Sequence, residues 1–187
     1  MIKVSAFLGS PRKNGNTHIL LTKFLEGARS QGAKTDLVFL SELEIKGCDG
    51  CHACWKGKKC PKNDDMVEQY KSIIDSDLIV FGTPVYWFGP TAIMKAFIDR
   101  FVYFNCPRNR SKIRGKPAAI IVPFEDEDIK TAKFIVEFFK KSLAYLEMKL
   151  AGQIIAPGVG DKGAILKYPD KLTESFLLGQ RLVRNLM

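Results

Sequence analysis

Short runs that are apolar at nearly every position alternate along this chain with longer stretches in which apolar residues recur every three or four positions. The first kind predicts strands buried on both faces, and the second predicts helices packed through one stripe. Ile2–Leu8 (IKVSAFL), Thr35–Leu40 (TDLVFL), Asp77–Gly82 (DLIVFG), the AAIIV within Lys116–Pro123 and the core Gln153–Ala156 read as five strands. Between them, Thr17–Ser30 carries Ile19, Leu20, Phe24, Leu25 and Ala28 and is ended by Gly32. A helix opened by Asp64 and Asp65 carries Met66, Tyr70, Ile73 and Ile74, and Thr91–Phe104 is apolar almost throughout. Ile129–Tyr145 offers Phe134, Ile135, Phe138 and Phe139 for burial, and Asp170–Leu186 is the last helix. Five strands alternating with helices predict a doubly wound α/β fold, a five-stranded parallel sheet in the order 2-1-3-4-5 with right-handed crossovers. A length of 187 residues suits a single domain, 1–187, with one long loop at about 41–63. In such a sheet ligands bind beyond the carboxyl ends of the strands at the switch point between strands one and three. The loops Gly9–Thr17 and Thr83–Pro90 therefore meet.

Both loops carry candidate chemistry. In GSPRKNGNT, Gly9 lets the backbone leave the first strand tightly, Ser10, Asn14, Asn16 and Thr17 supply hydroxyl and amide groups, and Arg12 supplies a planar cationic fork. The helix that follows turns unpaired N–H groups toward the same space, so an anion belongs there. Neither a Walker-type G-x-x-x-x-G-K-[ST] nor a G-x-G-x-x-G is present, and a terminal phosphate monoester suits the loop better than a triphosphate or a dinucleotide. The second loop, TPVYWFGP, is stiffened by Pro84 and Pro90 and, beyond Val85, presents Tyr86, Trp87 and Phe88 to a flat ring. An aromatic cap on the sheet or a dimer contact is the plainer reading of the same residues. The acidic PFEDED at Pro123–Asp128 either contacts the ligand through backbone atoms or faces solvent at a helix start.

Four of the five cysteines crowd into Cys48–Cys60, spaced C-x-x-C-x-x-C-x-x-x-x-x-C-P as Cys48, Cys51, Cys54, Cys60 and Pro61. Two successive gaps of two bring three thiolates around one small volume, as a cubane cluster needs. Zinc and metal-free cysteines stay open as alternatives. His52 reads as a solvated side chain, and Lys56, Lys58 and Lys59 as cations that favour thiolates. Cys106 reads as structural or incidental, and His18 as a phosphate contact or an exposed ring. The formal net charge of +9, from 29 basic and 20 acidic residues, draws anions such as NADPH, an acidic electron-transfer protein or a phosphate. No arginine-rich arm or aromatic–basic interleaving points to nucleic acid. No run has the apolar length to span a bilayer and the opening is a strand, so no membrane association and a cytoplasmic location are expected.

GSPRKNGNT after a first strand, together with TPVYWFGPTAIMKAFIDRF, resembles the flavodoxin-like NADPH-dependent FMN reductases over Ile2 to about Tyr103. The cysteine loop resembles the iron–sulfur flavoprotein branch of that family. The resemblance implies a flavodoxin-like fold, FMN with its phosphate on the first loop and its isoalloxazine on residues 83–90, and one [4Fe-4S] cluster held by Cys48, Cys51, Cys54 and Cys60. It implies an oxidoreductase passing electrons from NAD(P)H or ferredoxin to a soluble acceptor, assembled as a homodimer or homotetramer, with no nucleophile–base constellation required. Two alternatives stand beside it: an NAD(P)H-dependent FMN or quinone reductase whose cysteines hold no cluster, and a non-enzymatic flavodoxin-type electron carrier. A zinc-stabilised nucleic-acid-binding module is the reading furthest from it.

Overall fold

The computed structural model describes residues 1–187. Five strands, β1 (Lys3–Leu8), β2 (Lys34–Phe39), β3 (Leu78–Gly82), β4 (Pro117–Pro123) and β5 (Lys149–Ala156), form one sheet in the order β2-β1-β3-β4-β5. All four pairings are parallel, with Leu8 opposite both Phe39 and Gly82, and β4 shifts register against β5 between Ala118 and Ala119. The order and sense are those the strand–helix alternation predicts. β5 is longer than its apolar core, reaching back to Lys149 through residues that alternate in exposure as an edge strand does.

Helices α1 (Asn16–Arg29) and α6 (Pro169–Arg184) cover one face, while α2 (Met66–Asp75), α3 (Ala92–Asp99) and α5 (Lys133–Tyr145) cover the other. A single turn, α4 (Pro107–Arg110), sits between α3 and β4. Alternation along β1 divides the core. Val4, Ala6 and Leu8 join Leu20, Leu21, Phe24 and Leu182 on the first face, whereas Phe7 joins Phe81, Phe97 and Phe139 on the second. No helix is long and apolar enough to cross a membrane.

Two predicted helices change character along their length. The one expected over Thr91–Phe104 is α-helical only to Asp99 and tightens into a 3₁₀ segment at Arg100–Asn105. There the Arg100 carbonyl accepts the Tyr70 hydroxyl at 3.3 Å, and the Arg100 side chain is drawn into the protein. The one expected over Ile129–Tyr145 opens as a 3₁₀ turn, Ile129–Ala132, capped by Asp128, whose Oδ1 accepts the Lys130 N–H at 2.9 Å. Phe134 is not part of the core as expected. It is 66% exposed and meets Phe88 edge-on, with ring centroids 6.5 Å apart.

The crossing of α1 over α6 is unusually close. A Cβ on Gly27 would lie 2.0 Å from the Phe176 carbonyl oxygen, and one on Gly179 would lie 2.0 Å from that of Phe24. The obstacle on both sides is backbone, which cannot swing away. The Ser175 hydroxyl donates to the Leu20 carbonyl at 2.8 Å within the same contact. Gly27→Ala is therefore expected to lower stability by about 1–3 kcal/mol through overpacking, despite alanine's better helix propensity. Urea unfolding measures this, and a stabilised variant would show that the helices separate freely.

Candidate functional site

The carboxyl ends of β1 and β3 are joined to the loops they deliver. The Gly9 N–H donates to the Gly82 carbonyl at 2.7 Å, and the Thr91 hydroxyl, at the N-cap of α3, donates to the Gly9 carbonyl and accepts the Met94 N–H. Thr83 Oγ1 accepts the Thr91 N–H at 3.2 Å, closing residues 83–91 on themselves. Gly9 leaves no room for a side chain, since a Cβ would stand 2.7 Å from that of Met94.

A cleft of about 120 Å³ opens above this junction, lined by Ser10, Arg12, Asn16 and Thr17 from the first loop and by Pro84, Val85 and Tyr86 from the second. Ser10 and Thr17 are buried, and the Arg12 guanidinium reaches the Gly160 carbonyl at 3.3 Å. The Asn16 side chain is already committed. Its amide donates to the carbonyls of Val159 and Asp161 at 2.8 and 2.9 Å, and its oxygen accepts the Ile165 N–H at 3.1 Å. What Asn16 offers a ligand is thus the backbone N–H that opens α1, alongside those of Thr17 and His18. Asn14 is outside the cleft. It holds φ +56° and gives its N–H to Nδ1 of His18 at 2.9 Å, so that histidine nitrogen is an acceptor here and burial lowers the ring's pKa.

Two further loops complete the cleft. Pro123, Phe124 and Glu125 follow β4, and Val159, Gly160 and Lys162 follow β5. The acidic stretch thus divides its work: Glu125 borders the cleft, while Asp126 and Asp128 accept from the Thr131 hydroxyl and the Lys130 N–H and cap the turn into α5. The β5 loop had no assigned role in the sequence reading, although PGVGDKG, with three glycines directly after a strand, is the signal that marks it.

Tyr86 and Gly89 exchange backbone hydrogen bonds at 2.9 and 3.0 Å, making a minute hairpin with Trp87 and Phe88 at its tip. Both tip residues have positive φ, +48° and +63°, a conformation that suits Asn-Gly far better than two bulky aromatics. Trp87 is 95% exposed and Phe88 about half exposed. Backbone strain and exposed aromatic area together mark a surface kept for contact.

Cys48, Cys51, Cys54 and Cys60 border one small cavity of about 20 Å³, between the loop and the α2–α3 face. Cys54 is buried, with its sulfur 3.9 Å from the Val102 carbonyl, and burial pushes its thiol pKa up. No three Cys, His, Asp or Glu side chains stand close enough together to clasp an ion as the loop lies. His52 holds φ +56° with its ring against Trp55, in keeping with a solvated side chain.

What fastens this loop is a buried ion pair that the sequence pattern conceals. Arg100, 1% exposed, forks onto both carboxylate oxygens of Asp64, donates from Nη1 to the Lys46 carbonyl at 2.8 Å and directs an Nη2 N–H at the Cys60 sulfur, 3.3 Å away. Asp64 also accepts the N–H groups of Lys46 and Met66. Asp64 therefore does more than favour the helix dipole. Burial alone would raise its pKa, but the Arg100 hydrogen bond, the Lys46 N–H, the Arg100 charge and the Met66 N–H outweigh burial and hold the carboxyl below its usual value.

A depressed folded-state pKa contributes stability that is present above the unfolded value and lost as pH falls through the folded one. The protein is expected to lose stability steeply below about pH 4, and Asp64→Asn to flatten that acid limb while lowering stability near neutrality. Urea unfolding between acid and neutral pH measures both, and an unchanged acid limb would remove Asp64 from the account. Replacing the strained tip by Trp87→Asn with Phe88→Gly should raise stability by about 1–3 kcal/mol; a less stable variant would show that the aromatics are held by contacts and not against strain.

The sequence profile of the NADPH-dependent FMN reductases matches residues 2–133. An iron–sulfur flavoprotein of Archaeoglobus fulgidus is 34% identical over 123 residues, covering 66% of this chain and 54% of that protein. One of Methanosarcina thermophila is 38% identical over 120 residues, covering 64% of this chain and 62% of that protein. These matches span little more than half the length of the relatives. The solved structure of a Trp repressor binding protein from Bacillus subtilis superposes with a TM-score of 0.73 at 23% identity, covering 94% of this chain and 99% of the other, which shows the flavodoxin-like fold. On the matched residues the chain belongs to the NADPH-dependent FMN reductase family, and over about two thirds of its length it is similar to iron–sulfur flavoproteins.

Proposed function

We propose that this protein is an FMN-dependent oxidoreductase of the iron–sulfur flavoprotein type, moving electrons from NAD(P)H or ferredoxin to a soluble acceptor. The observation that carries the reading is the cleft where the Ser10–Thr17 and Pro84–Tyr86 loops meet, beside an exposed aromatic tip. At about 120 Å³ the cleft is far below the roughly 300–1,000 Å³ of pockets that enclose whole ligands. It fits the phosphate end of FMN, with the flat ring on the open surface at Tyr86–Phe88.

The donor set matches that division. Ser10 Oγ, the Arg12 guanidinium and the N–H groups opening α1 converge on a dianion, and Lys162 adds a cation across the cleft from them. FMN bound there would supply hydride and one- or two-electron redox chemistry. The chain's part is to hold the phosphate, fix the ring's edge against the Pro84–Tyr86 backbone and leave one face of the ring accessible to the donor. With Trp87 almost fully exposed, a second copy of the chain would cover the aromatic tip, in keeping with a homodimer or homotetramer.

Cys48, Cys51, Cys54 and Cys60 would hold a [4Fe-4S] cluster, which supplies one-electron relay. Four thiols bordering one cavity, with the Arg100 N–H on Cys60, suit such a group chemically, and the names of the Archaeoglobus and Methanosarcina relatives point the same way. The cavity of about 20 Å³ is too small to enclose such a group, so the loop would have to open to admit it.

Ser10→Ala with Arg12→Ala is expected to weaken FMN binding by about 10²- to 10⁴-fold, since each charge-assisted hydrogen bond contributes roughly 1.5–3 kcal/mol. Fluorescence titration of apoprotein with FMN measures it, and unchanged affinity would remove the phosphate from this cleft. An anaerobic visible spectrum of fresh protein is expected to show flavin bands above broad iron–sulfur absorption that bleaches with dithionite and vanishes in Cys48→Ser. Flavin bands without iron absorption would leave an NAD(P)H-dependent FMN or quinone reductase with free cysteines.

A further inference from the structure

Next to the small cavity of the cysteine loop lies a second, much larger concavity of about 610 Å³. It shares no residue with the flavin cleft. One wall is Gly57–Asn63 with Lys58, Lys59 and Lys62, another is the outer side of α2 with Val67, Lys71 and Ile74, and the third is Tyr103–Lys112 with Arg108, Asn109 and Lys112. Two basic clusters that are far apart in sequence thus face one hollow. Six cations line it and no carboxylate does. Only Lys62 has an acidic partner, Asp49 at 3.0 Å, whereas Lys58, Lys59, Lys71, Arg108 and Lys112 form no ion pair.

Positive charge gathered in a concavity and left without counter-charge concentrates anions more strongly than the same charge spread over a convex surface. The cysteine loop does not account for it, because Lys71, Arg108 and Lys112 stand on the walls opposite that loop. A whole-molecule net charge does not account for it either, since ion pairs neutralise cations elsewhere, as at Lys23–Glu26, Lys95–Asp99 and Lys171–Glu174. The volume is that of a small-molecule pocket. Its lining is mixed: Val67, Ile74, Tyr70 and Tyr103 supply apolar and aromatic surface, the two tyrosines stacked with centroids 4.1 Å apart, and the cations surround it.

We propose that this hollow binds a nucleotide, with its phosphates among Lys58, Lys59, Arg108 and Lys112 and its base against the Val67, Ile74 and Tyr103 surface. The site is separate from the flavin cleft, and one of its walls is the cysteine loop itself. Cys60, Lys62 and Tyr70 border both this hollow and the cysteine cavity, so an occupant here lies directly against the cysteine loop.

The test uses the protein as purified, with its flavin, and ATP as the probe, read by isothermal titration calorimetry at low and at physiological salt. ATP is expected to bind, to weaken with salt, and to bind several-fold tighter than inorganic tripolyphosphate. Lys71→Gln, Arg108→Gln and Lys112→Gln together should weaken ATP binding by at least 10-fold and leave flavin content and the far-ultraviolet circular dichroism spectrum unchanged. Lys13→Gln with Lys140→Gln and Lys171→Gln, three cations away from the hollow, controls for net charge and should leave binding intact. No ATP binding, equal loss in both triple variants, or tripolyphosphate binding as tightly as ATP would each overturn the proposal. Binding of polyglutamate or of a single-stranded oligonucleotide in place of ATP would overturn it in favour of a macromolecular partner.

Discussion

Every feature of the cleft beyond β1 and β3 depends on one constraint of parallel sheets: neighbouring strands that run the same way must end at the same edge. With β1 at the switch point, its exit and that of β3 are forced side by side, and Gly9 and Gly82 are close enough to share a backbone hydrogen bond. Thr91 then converts adjacency into rigidity, because one hydroxyl caps α3 and holds the Gly9 carbonyl. The Gly9–Thr17 loop and the aromatic loop are thereby parts of one hydrogen-bonded object. A ligand that bridges them finds the spacing already fixed, which spares it the entropy of ordering two independent loops.

The cysteine loop is held by a different kind of force. Its attachment rests on a charge pair almost fully withdrawn from water, in which Arg100 satisfies Asp64, the Lys46 carbonyl and the Cys60 sulfur at once. Such pairs add little net stability compared with apolar packing, but losing one partner strands the other at a cost of about 3–5 kcal/mol. The arrangement therefore specifies where residues 46, 60 and 64 sit more than it stabilises the fold. It also joins the loop to the start of the 3₁₀ segment following α3, so the loop's position is tied to the helix whose N-cap holds the two cleft loops together.

Much of this was legible in the sequence for a physical reason: buried parallel strands must be apolar on both faces, and that requirement writes itself into the chain. The order of strands, the crossovers, and the meeting of Ser10–Thr17 with Pro84–Phe88 follow from it. What escaped the pattern were interactions that periodicity does not encode. Arg100 sits in a run of phenylalanines and reads as the polar edge of an apolar helix, because its buried partner is 36 positions away. Asn16 reads as a phosphate donor because of its neighbours, whereas its amide is spent on residues 159–165. Phe134 reads as core by its place in a helical stripe, yet it faces outward and meets Phe88.

The Asn16 contacts also close a long circuit in the chain. The carbonyls and N–H that fix this asparagine belong to residues 159–165, 143 to 149 positions further on, and the α1 backbone is held by Ser175. The start of α1 therefore reaches its final form only when a distant segment has folded against it, and contacts of such separation are slow to form. The front of the cleft is thus built by local sequence but completed by the far half of the fold.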